Sequence, residues 1–281
     1  MTQFFTKLVL GMSAETYHAD PVPISLSSSI AHLMVNECPA LAYHRHPKLG
    51  GAKQEETEST DRGNLVHELL LGTGKGIVEV DAKDWRTKAA KEQREQARAA
   101  GKVAVLKEKR RYLDIAVTAL QEQFTELGVS FEGSHREAVL FWTETADDGT
   151  EVQCRGMVDG IWPNAYRILD LKTCDTAHPK TCERKCIDFG YDIQHAAYTS
   201  ALRKIWPEGA GRERMGFVFA ECDAPYLVTD AELDGTLRER GERLWRRAVN
   251  RWAECLKSDC WPGYVTGKAY LSAPPWAVEE A

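Results

Sequence analysis

Residues 154–173, CRGMVDGIWPNAYRILDLKT, carry the clearest structural pattern in the chain. Both halves of this segment are rich in β-branched and large apolar residues, which is typical of β-strands. The Pro163-Asn164 pair between the halves is typical of a turn. The segment therefore predicts a β-hairpin.

The register of this hairpin places two aspartates opposite each other. We assume that strands 152–162 and 166–172 pair symmetrically about the peptide between residues 164 and 165. Asp159 then lies directly across from Asp170, and such residues have Cβ atoms about 4.5–5.5 Å apart. Two carboxylates at that separation repel each other unless a positive charge lies close by.

A lysine follows on the same face of the second strand. Lys172 lies two residues after Asp170 and projects to the same side, whereas Leu171 points to the opposite side and into the core. Paired carboxylates suit Mg²⁺ or Mn²⁺, which prefer oxygen ligands. A neighbouring lysine can orient a water molecule and stabilise charge that develops on a phosphate. Asp159, Asp170 and Lys172 therefore predict metal-assisted phosphodiester hydrolysis.

Four further residues can serve such a site. His67 follows Gly63 by one helical turn in a predicted helix, and Glu137 begins the first β-rich segment. Gln194 and Tyr198 lie on one face of another predicted helix, four residues apart. This pair could contact a phosphate or brace the site from outside. A buried histidine and a surface glutamate without function also remain as alternatives for the first two.

The order of these motifs resembles a known family of nucleases. The sequence contains GxxxH, then E, GxxD, DxK and QxxxY, at residues 63–67, 137, 156–159, 170–172 and 194–198. This order resembles the RecB-like branch of the PD-(D/E)xK nucleases, and most closely the RecE (exonuclease VIII) type of phages and prophages. Further resembling segments are ISLSSSIAHLMVNECPALAY (24–43), TDRGNLVHELLLG (60–72), CRGMVDGIW (154–162), ILDLKT (168–173) and FGYDIQHAAY (189–198).

The resemblance implies a fold and a role for each matching residue. The fold would be α/β, a restriction-endonuclease-like mixed β-sheet core flanked by helices, with a helical N-terminal elaboration. Metal ligands would be His67, Asp159, Asp170, the Leu171 carbonyl and Glu137, holding two Mg²⁺ or Mn²⁺ ions. Catalytic residues would be Lys172, Asp159, Asp170, Gln194 and Tyr198.

The resemblance also implies a function, with two alternatives left open. Members of the RecE type degrade linear double-stranded DNA from an end, 5′ to 3′, and several assemble as homo-oligomeric rings. The remaining single strand passes to a partner annealing protein for recombination. One alternative is an endonuclease, or a RecB-like nuclease that requires a helicase-type partner. The other is a DNA-binding recombination scaffold that no longer cuts.

The pattern of predicted elements indicates one nuclease domain over residues 1–281. Residues 1–130 are mostly helical, residues 131–256 contain the catalytic core, and residues 257–281 form a tail that we expect to lie over the body. Predicted helices include 107–127, 190–205 and 230–256, and MGFVFAEC (215–222) is a predicted strand. The chain has neither internal repeats nor a low-complexity linker.

The basic residues are concentrated in two segments of an acidic chain. The net charge is −6, yet residues 83–111 contain eleven Lys/Arg against four Asp/Glu, and residues 238–251 contain six Arg against two Glu. This distribution suits a protein that holds a polyanion in one groove, although two solvated helix faces would give the same counts. Trp85 could stack on a base or pack its helix against the body. The candidate DNA-binding residues are Arg86, Lys88, Lys91, Arg94 and Arg98.

Composition indicates a cytoplasmic protein of a bacterium or phage-infected cell, with no membrane partner. No run reaches the roughly 18 apolar residues of a membrane span, and no signal-peptide pattern follows the N-terminus. The eight cysteines form no CxxC pair. Cys182 with Cys186, and Cys255 with Cys260, could help to hold a metal or an iron–sulfur cluster. Reduced thiols are the expected state.

Overall fold

The computed structural model describes residues 5–52, 58–73, 76–265 and 267–273. The helices are α1 Ala14–His18, α2 Ser28–Asn36, α3 Pro39–Arg45, α4 Glu58–Leu71, α5 Lys88–Ala99, α6 Lys107–Leu127, α7 Pro179–Asp188, α8 Tyr191–Ile205 and α9 Gly235–Ser258. The strands are β1 Lys7–Val9, β2 Ile77–Val80, β3 Val103–Leu106, β4 Ala138–Thr145, β5 Glu151–Val158, β6 Gly160–Trp162, β7 Arg167–Cys174, β8 Arg214–Glu221 and β9 Val228–Glu232. None of the helices within these ranges is long and apolar enough to cross a bilayer.

A mixed sheet in the order β6-β7-β8-β9 forms the centre of the fold. Strands β7 and β8 are parallel, and the other two pairings are antiparallel. Parallel neighbours require a crossover, which α7 and α8 supply. A second, antiparallel sheet has the order β1-β4-β5. The predicted α/β class with a mixed sheet and flanking helices is confirmed.

Both faces of the central sheet are covered by helices. Along β7, Leu169 and Leu171 pack into a cluster with residues of α4 and α6. Ile168 points to the other side and joins the main core, to which α2, α8 and α9 contribute. The alternation of side chains along a strand thus places Asp170 on the same face as Ile168, toward α8. The prediction that Leu171 points into the core is confirmed.

Most of the predicted elements are present, and some boundaries differ. Helix α6 spans 107–127 as predicted, and Ser27 caps α2 by accepting a hydrogen bond from the Ile30 N–H. Helix α4 spans Glu58–Leu71 and includes the GxxxH motif. Strand β3 and helix α7 were not predicted. The helix predicted over residues 230–256 begins only at Gly235, because residues 228–232 form β9.

The basic segment forms a small βαβ unit. Strands β2 and β3 are parallel, and α5 connects them. Trp85 is half-buried against Val80, Ala90 and Leu106, and the Arg94 guanidinium lies 5.1 Å from its ring centroid. Of the two roles considered for Trp85, the structure supports packing of the helix.

The beginning of the tail packs on the body as expected. Trp261 contacts Tyr43 and Trp252 at ring-centroid distances of 5.2 Å each. The Ala40 N–H donates to the Pro262 carbonyl. Tyr270, further along the tail, is 88% exposed, so the tail does not pack against the body at this residue.

A buried polar cluster connects the N-terminal segment to β5. Asp20 is fully buried, and its carboxylate lies 3.1 Å from the Arg155 guanidinium and 3.3 Å from the His46 ring. The Ser25 hydroxyl donates to the same carboxylate at 2.6 Å. Buried charges are stable only when they are paired and hydrogen-bonded, and here the aspartate has three partners.

Candidate active site

The two aspartates are brought together by the predicted register. In the β6–β7 ladder Gly160 pairs with Leu169, and Ile161 pairs with Ile168. Continuing this register by one residue places Asp159 opposite Asp170. The side chain of Asp159 reaches across, and its Oδ2 accepts a hydrogen bond from the Leu171 N–H at 2.7 Å.

The predicted strand 152–162 is interrupted at Asp159, which corrects the simple hairpin. Asp159 lies in a bend between β5 and β6. Before the bend the chain pairs with β4 in one sheet, and after it the chain pairs with β7 in the other. Because the bend removes Asp159 from both ladders, its carboxylate can bind a main-chain N–H of the neighbouring strand. The site therefore lies where the two sheets join.

Lys172 lies between an acidic and an aromatic partner. Its Nζ is 2.5 Å from Asp170 Oδ1 and 4.5 Å from the centroid of the Tyr191 ring. Burial lowers the pKa of this ammonium, but the charge and hydrogen bond of Asp170, together with Tyr191 and Asp159, outweigh burial and raise it above the usual lysine value. Lys172 is therefore protonated at neutral pH and acts as a cation rather than as a base.

Asp170 is the most deeply buried acid of the site. Its Oδ2 accepts a hydrogen bond from Gln194 Nε2 at 2.9 Å. Burial raises the pKa of Asp170 to about 6, with partial compensation from the Lys172 charge and a further increase from Asp159. Although Lys172 is close, no donor among the described residues makes a hydrogen bond of good geometry to Asp170 Oδ1. Perturbation by burial and nearby charges is common at functional sites.

His67 reaches the site from α4. The glycine one turn earlier permits this approach, because a Cβ at Gly63 would lie 2.7 Å from Thr173 Oγ1 on β7. The His67 Nε2 is 2.9 Å from Asp159 Oδ1. Burial lowers the pKa of His67, but the hydrogen bond and charge of Asp159 outweigh burial and raise it. His67 therefore lies beside the first aspartate, and its role as a metal ligand stays a prediction.

Glu137 lies at the edge of the same group. It is half-buried immediately before β4, in the left-handed region with φ 46°. Its charge contributes to the raised pKa of His67. A non-glycine residue held at positive φ stores backbone strain, which persists only where the surroundings impose it.

Gln194 and Tyr198 have different roles. Gln194 contacts Asp170 directly, whereas the Tyr198 hydroxyl donates to the Met157 carbonyl at 3.0 Å. The Tyr198 ring packs against Gly156, where a Cβ would lie 2.4 Å from a ring carbon. Of the two roles considered for this pair, the contacts favour bracing of the site.

The residues of the site fit a divalent metal by donor type. Within the described ranges, no three His, Cys, Asp or Glu side chains already form a group that could hold a metal ion. Mg²⁺, however, is usually held by one or two carboxylates together with water and substrate phosphate. Each carboxylate oxygen offers about two lone-pair positions, so Asp159 and Asp170 keep acceptor capacity beside their present partners. Asp170 Oδ1 in particular has no well-directed donor.

Among the residues that the structure describes, the cysteines join no group of three or more metal-binding side chains. Cys182, Cys186 and Cys255 are buried in the main core, and Cys260 is exposed. Burial raises the pKa of Cys186 to about 12, so this thiol is protonated at neutral pH. All eight cysteines are free, as expected.

The candidate DNA-binding residues lie on the basic βαβ unit. Lys88, Lys91 and Arg98 are exposed on α5, and Arg86 is exposed just before it. Arg94 is half-buried over the Trp85 ring. They remain a candidate surface separate from the two aspartates.

Tyr191 also belongs to the site, although the sequence patterns did not predict it. This residue begins α8, and its ring lies beside Lys172 and stacks on Phe217 at 5.8 Å. Its place inside the motif FGYDIQ, three residues before Gln194, was the available signal. A periodicity argument could not show which way the first residue of a helix points.

The chain is similar to known proteins in sequence and in fold. A family model described as "PDDEXK-like domain of unknown function (DUF3799)" matches residues 27–274. No curated protein matches the sequence. A crystal structure described as "Putative exonuclease" from Eubacterium rectale has a TM-score of 0.62 at 11% identity, over 96% of this chain and 98% of that chain. At this identity the likeness supports the fold alone. A phage related exonuclease from Haemophilus somnus 129PT has a TM-score of 0.29 at 14% identity, over 69% of this chain and 95% of that chain.

Proposed function

Because this chain belongs to the DUF3799 family of PDDEXK-like domains, we propose that it is a Mg²⁺- or Mn²⁺-dependent deoxyribonuclease. One observation carries this proposal. Asp159 and Asp170 lie on adjoining segments at the junction of two sheets, and the protonated Lys172 contacts the second of them. Carboxylates for a metal beside a fixed cation are the groups that phosphodiester hydrolysis needs.

In the proposed mechanism each residue has a distinct task. Asp159, Asp170 and the Leu171 carbonyl would hold the metal, with His67 and Glu137 as further ligands or close neighbours. Bound metal supplies Lewis-acid stabilisation of the phosphate and a more acidic water. Lys172 orients the attacking water and stabilises negative charge that develops on the scissile phosphate. Gln194 fixes one oxygen of Asp170, and Tyr198 holds the strand before Asp159.

We further propose that the substrate is the end of linear duplex DNA. The resemblance to RecE-type nucleases supports digestion in the 5′ to 3′ direction, a ring-shaped homo-oligomer, and transfer of the remaining strand to an annealing protein. The net charge of −6 with two basic segments is compatible with an enzyme that contacts DNA only along its channel.

Digestion of labelled DNA tests this function. Purified protein is incubated with linear duplex, circular duplex or single-stranded DNA, labelled at one 5′ or 3′ end, in Mg²⁺ or in EDTA. We expect early release of the 5′ label from linear duplex only, and no cleavage in EDTA. Cleavage of circular duplex DNA would indicate an endonuclease instead of an exonuclease. DNA binding without any cutting in Mg²⁺ or Mn²⁺ would identify a scaffold.

Charge reversal on α5 tests the DNA-binding surface. We expect the Lys88→Glu/Lys91→Glu variant to bind duplex DNA more weakly and with a flatter salt dependence. Each lost phosphate contact lowers the slope of log K against log salt by about 0.9. Fluorescence anisotropy at several salt concentrations measures this slope.

The Arg-rich face of α9 supplies the matched comparison. Arg243 and Arg247 are exposed four residues apart on this helix, so Arg243→Glu/Arg247→Glu changes the same amount of charge. If the salt dependence of DNA binding is unchanged in the α5 variant but reduced in the α9 variant, the DNA-binding surface lies on α9 instead of α5.

A further inference from the structure

A cleft of about 420 Å³ adjoins the catalytic lysine. It is lined by Lys172 and Thr173 of β7, Phe219 of β8, Lys185 of α7, and Phe189 and Tyr191 at the α7–α8 turn. The volume falls within the range of about 300–1,000 Å³ that is usual for small-molecule sites. None of the roles assigned above uses the outer part of this cleft, at Phe189.

The outer wall of the cleft is the end of an aromatic stack. Phe189 lies 5.9 Å from Tyr191 with a 31° angle between the rings, and Tyr191 lies 5.8 Å from Phe217 with a 27° angle. Tyr191 and Phe217 are the inner rings, whereas Phe189 is 61% exposed. A single exposed aromatic is ordinary on a protein surface. Phe189 differs because it caps a stack that ends beside the active site.

The turn that carries Phe189 is fixed in place. Gly190 has φ +69°, a conformation that favours glycine, and a Cβ at this position would lie 2.4 Å from the His32 ring on α2. The turn therefore packs tightly against a neighbouring helix. A stacking surface held in this way loses little conformational freedom on binding.

Two cations accompany the stack. Lys172 lies over the inner ring, with its Nζ 4.5 Å from the Tyr191 centroid. Lys185 also lines the cleft, and its ammonium pairs with the exposed carboxylate of Asp175. A ligand with one flat ring and adjacent negative charge matches this combination of exposed aromatic face and ammonium groups.

We propose that this cleft holds one unpaired nucleobase of the DNA substrate, stacked on Phe189, while the adjoining phosphate lies at Lys172. This inference rests on the proposed nuclease function and names what its site binds. A single base that enters this cleft must leave its partner, so the terminal base pair opens on binding. Stacking uses the π-face common to all four bases, and the pocket therefore accepts any of them.

Abasic substrates test the pocket. Linear duplexes carry a single tetrahydrofuran residue, which lacks a base, at position 1, 2 or 3 from the digested end. At one of these positions we expect the abasic residue to slow single-turnover cleavage by the wild type by about 5- to 150-fold, the range expected for one lost stacking contact. Phe189→Leu should slow cleavage of intact DNA by a similar factor, with no further loss on the abasic DNA.

Two variants serve as controls for this experiment. Phe189→Trp should keep the wild-type preference, because it retains an aromatic face. Tyr112 on α6 is 62% exposed, and Tyr112→Leu should behave as the wild type on every substrate. If Phe189→Leu cuts intact DNA at the wild-type rate, or is slowed equally on intact and abasic DNA, the base pocket is refuted.

Binding measurements separate this inference from the proposed function. Anisotropy titrations in EDTA use the same duplexes with wild type and Phe189→Leu. If the protein cleaves DNA but the effect of the abasic residue is the same with and without Phe189, the pocket alone is refuted. A Phe189-dependent preference for intact ends without any cleavage would refute the nuclease and retain the pocket. If the protein neither cleaves DNA nor shows a Phe189-dependent preference for intact ends, the nuclease function and the pocket are both refuted.

Discussion

We expect replacement of Asp170 by asparagine to abolish the proposed metal-dependent cleavage of DNA, with a loss on the order of 10³-fold or more. The substitution keeps the shape of the side chain and an oxygen that can accept the Gln194 hydrogen bond. It removes the charge that a divalent cation requires. We expect the fold to persist, because a buried carboxylate whose pKa is raised by burial is costly to keep charged.

Single-turnover rates and thermal unfolding together measure this effect. Lys172→Met, which removes the cation at the same contact, should also lose activity and remain folded. The exposed pair of Lys257 and Asp148, 3.7 Å apart, supplies matched controls. Lys257→Met and Asp148→Asn repeat the same chemical changes away from the site and should retain wild-type rates. Full activity in Asp170→Asn or Lys172→Met would rule out the proposed site.

We expect replacement of Asp20 by asparagine to destabilise the protein by about 3–5 kcal/mol. The substitution leaves the Arg155 guanidinium buried without its counter-ion, at a position 4% exposed. Because Arg155 belongs to β5, which leads into the Asp159 bend, the cluster also anchors the strand that presents the first aspartate. The midpoint of urea unfolding measures the loss.

The same aspartate gives the stability a defined pH dependence. Burial raises the pKa of Asp20, but hydrogen bonds from His46 and Ser25 and the Arg155 charge outweigh burial and hold the pKa below the usual value. The pKa of an aspartate in the unfolded chain is about 3.9, and the pKa of Asp20 in the folded protein is lower. Ionised Asp20 therefore stabilises the fold above that unfolded-state pKa, and this stabilisation is lost as the pH falls through the folded-state pKa. Below about pH 4, the wild type should therefore lose stability more steeply than Asp20→Asn does.

An exposed ion pair provides the control for this prediction. Arg110 and Asp114 on α6 lie 2.9 Å apart, four residues apart in sequence. Asp114→Asn should cost no more than about 0.5 kcal/mol. Equal destabilisation by Asp114→Asn and Asp20→Asn would mean that burial of the Asp20 cluster has no special energetic role.

Regular periodicity made part of the fold predictable. Helix α6 shows apolar residues at helical spacing, and its bounds were predicted correctly. The β6–β7 register followed from the turn and from the two-residue repeat of a strand, since a shift of one residue would move every side chain to the other face. The spacing of apolar residues was sufficient to predict the α6 bounds and the β6–β7 register, because both follow from the geometry of residues close together in the chain.

Other parts of the site depend on contacts that no local pattern contains. Asp159 lies in a bend because the chain leaves one sheet for another, pairing with β4 before the bend and with β7 after it. Tyr198 was considered for a phosphate contact, yet Gly156 lies where its ring packs. Tyr191 and Phe189 form one wall of a cleft only after α7 and α8 pack beside β7 and β8.

The sequence of residues 154–173 was enough to predict the paired aspartates, the lysine two residues later and the strands that carry them. The reason is that side chains alternate along a strand with a fixed period. Tertiary structure supplied the environment of those groups. Burial of Asp170 raises its pKa, the contact with Asp170 keeps Lys172 protonated, and α4 brings His67 to Asp159. These properties arise from desolvation and from distances between residues far apart in the chain, which only the packed molecule establishes.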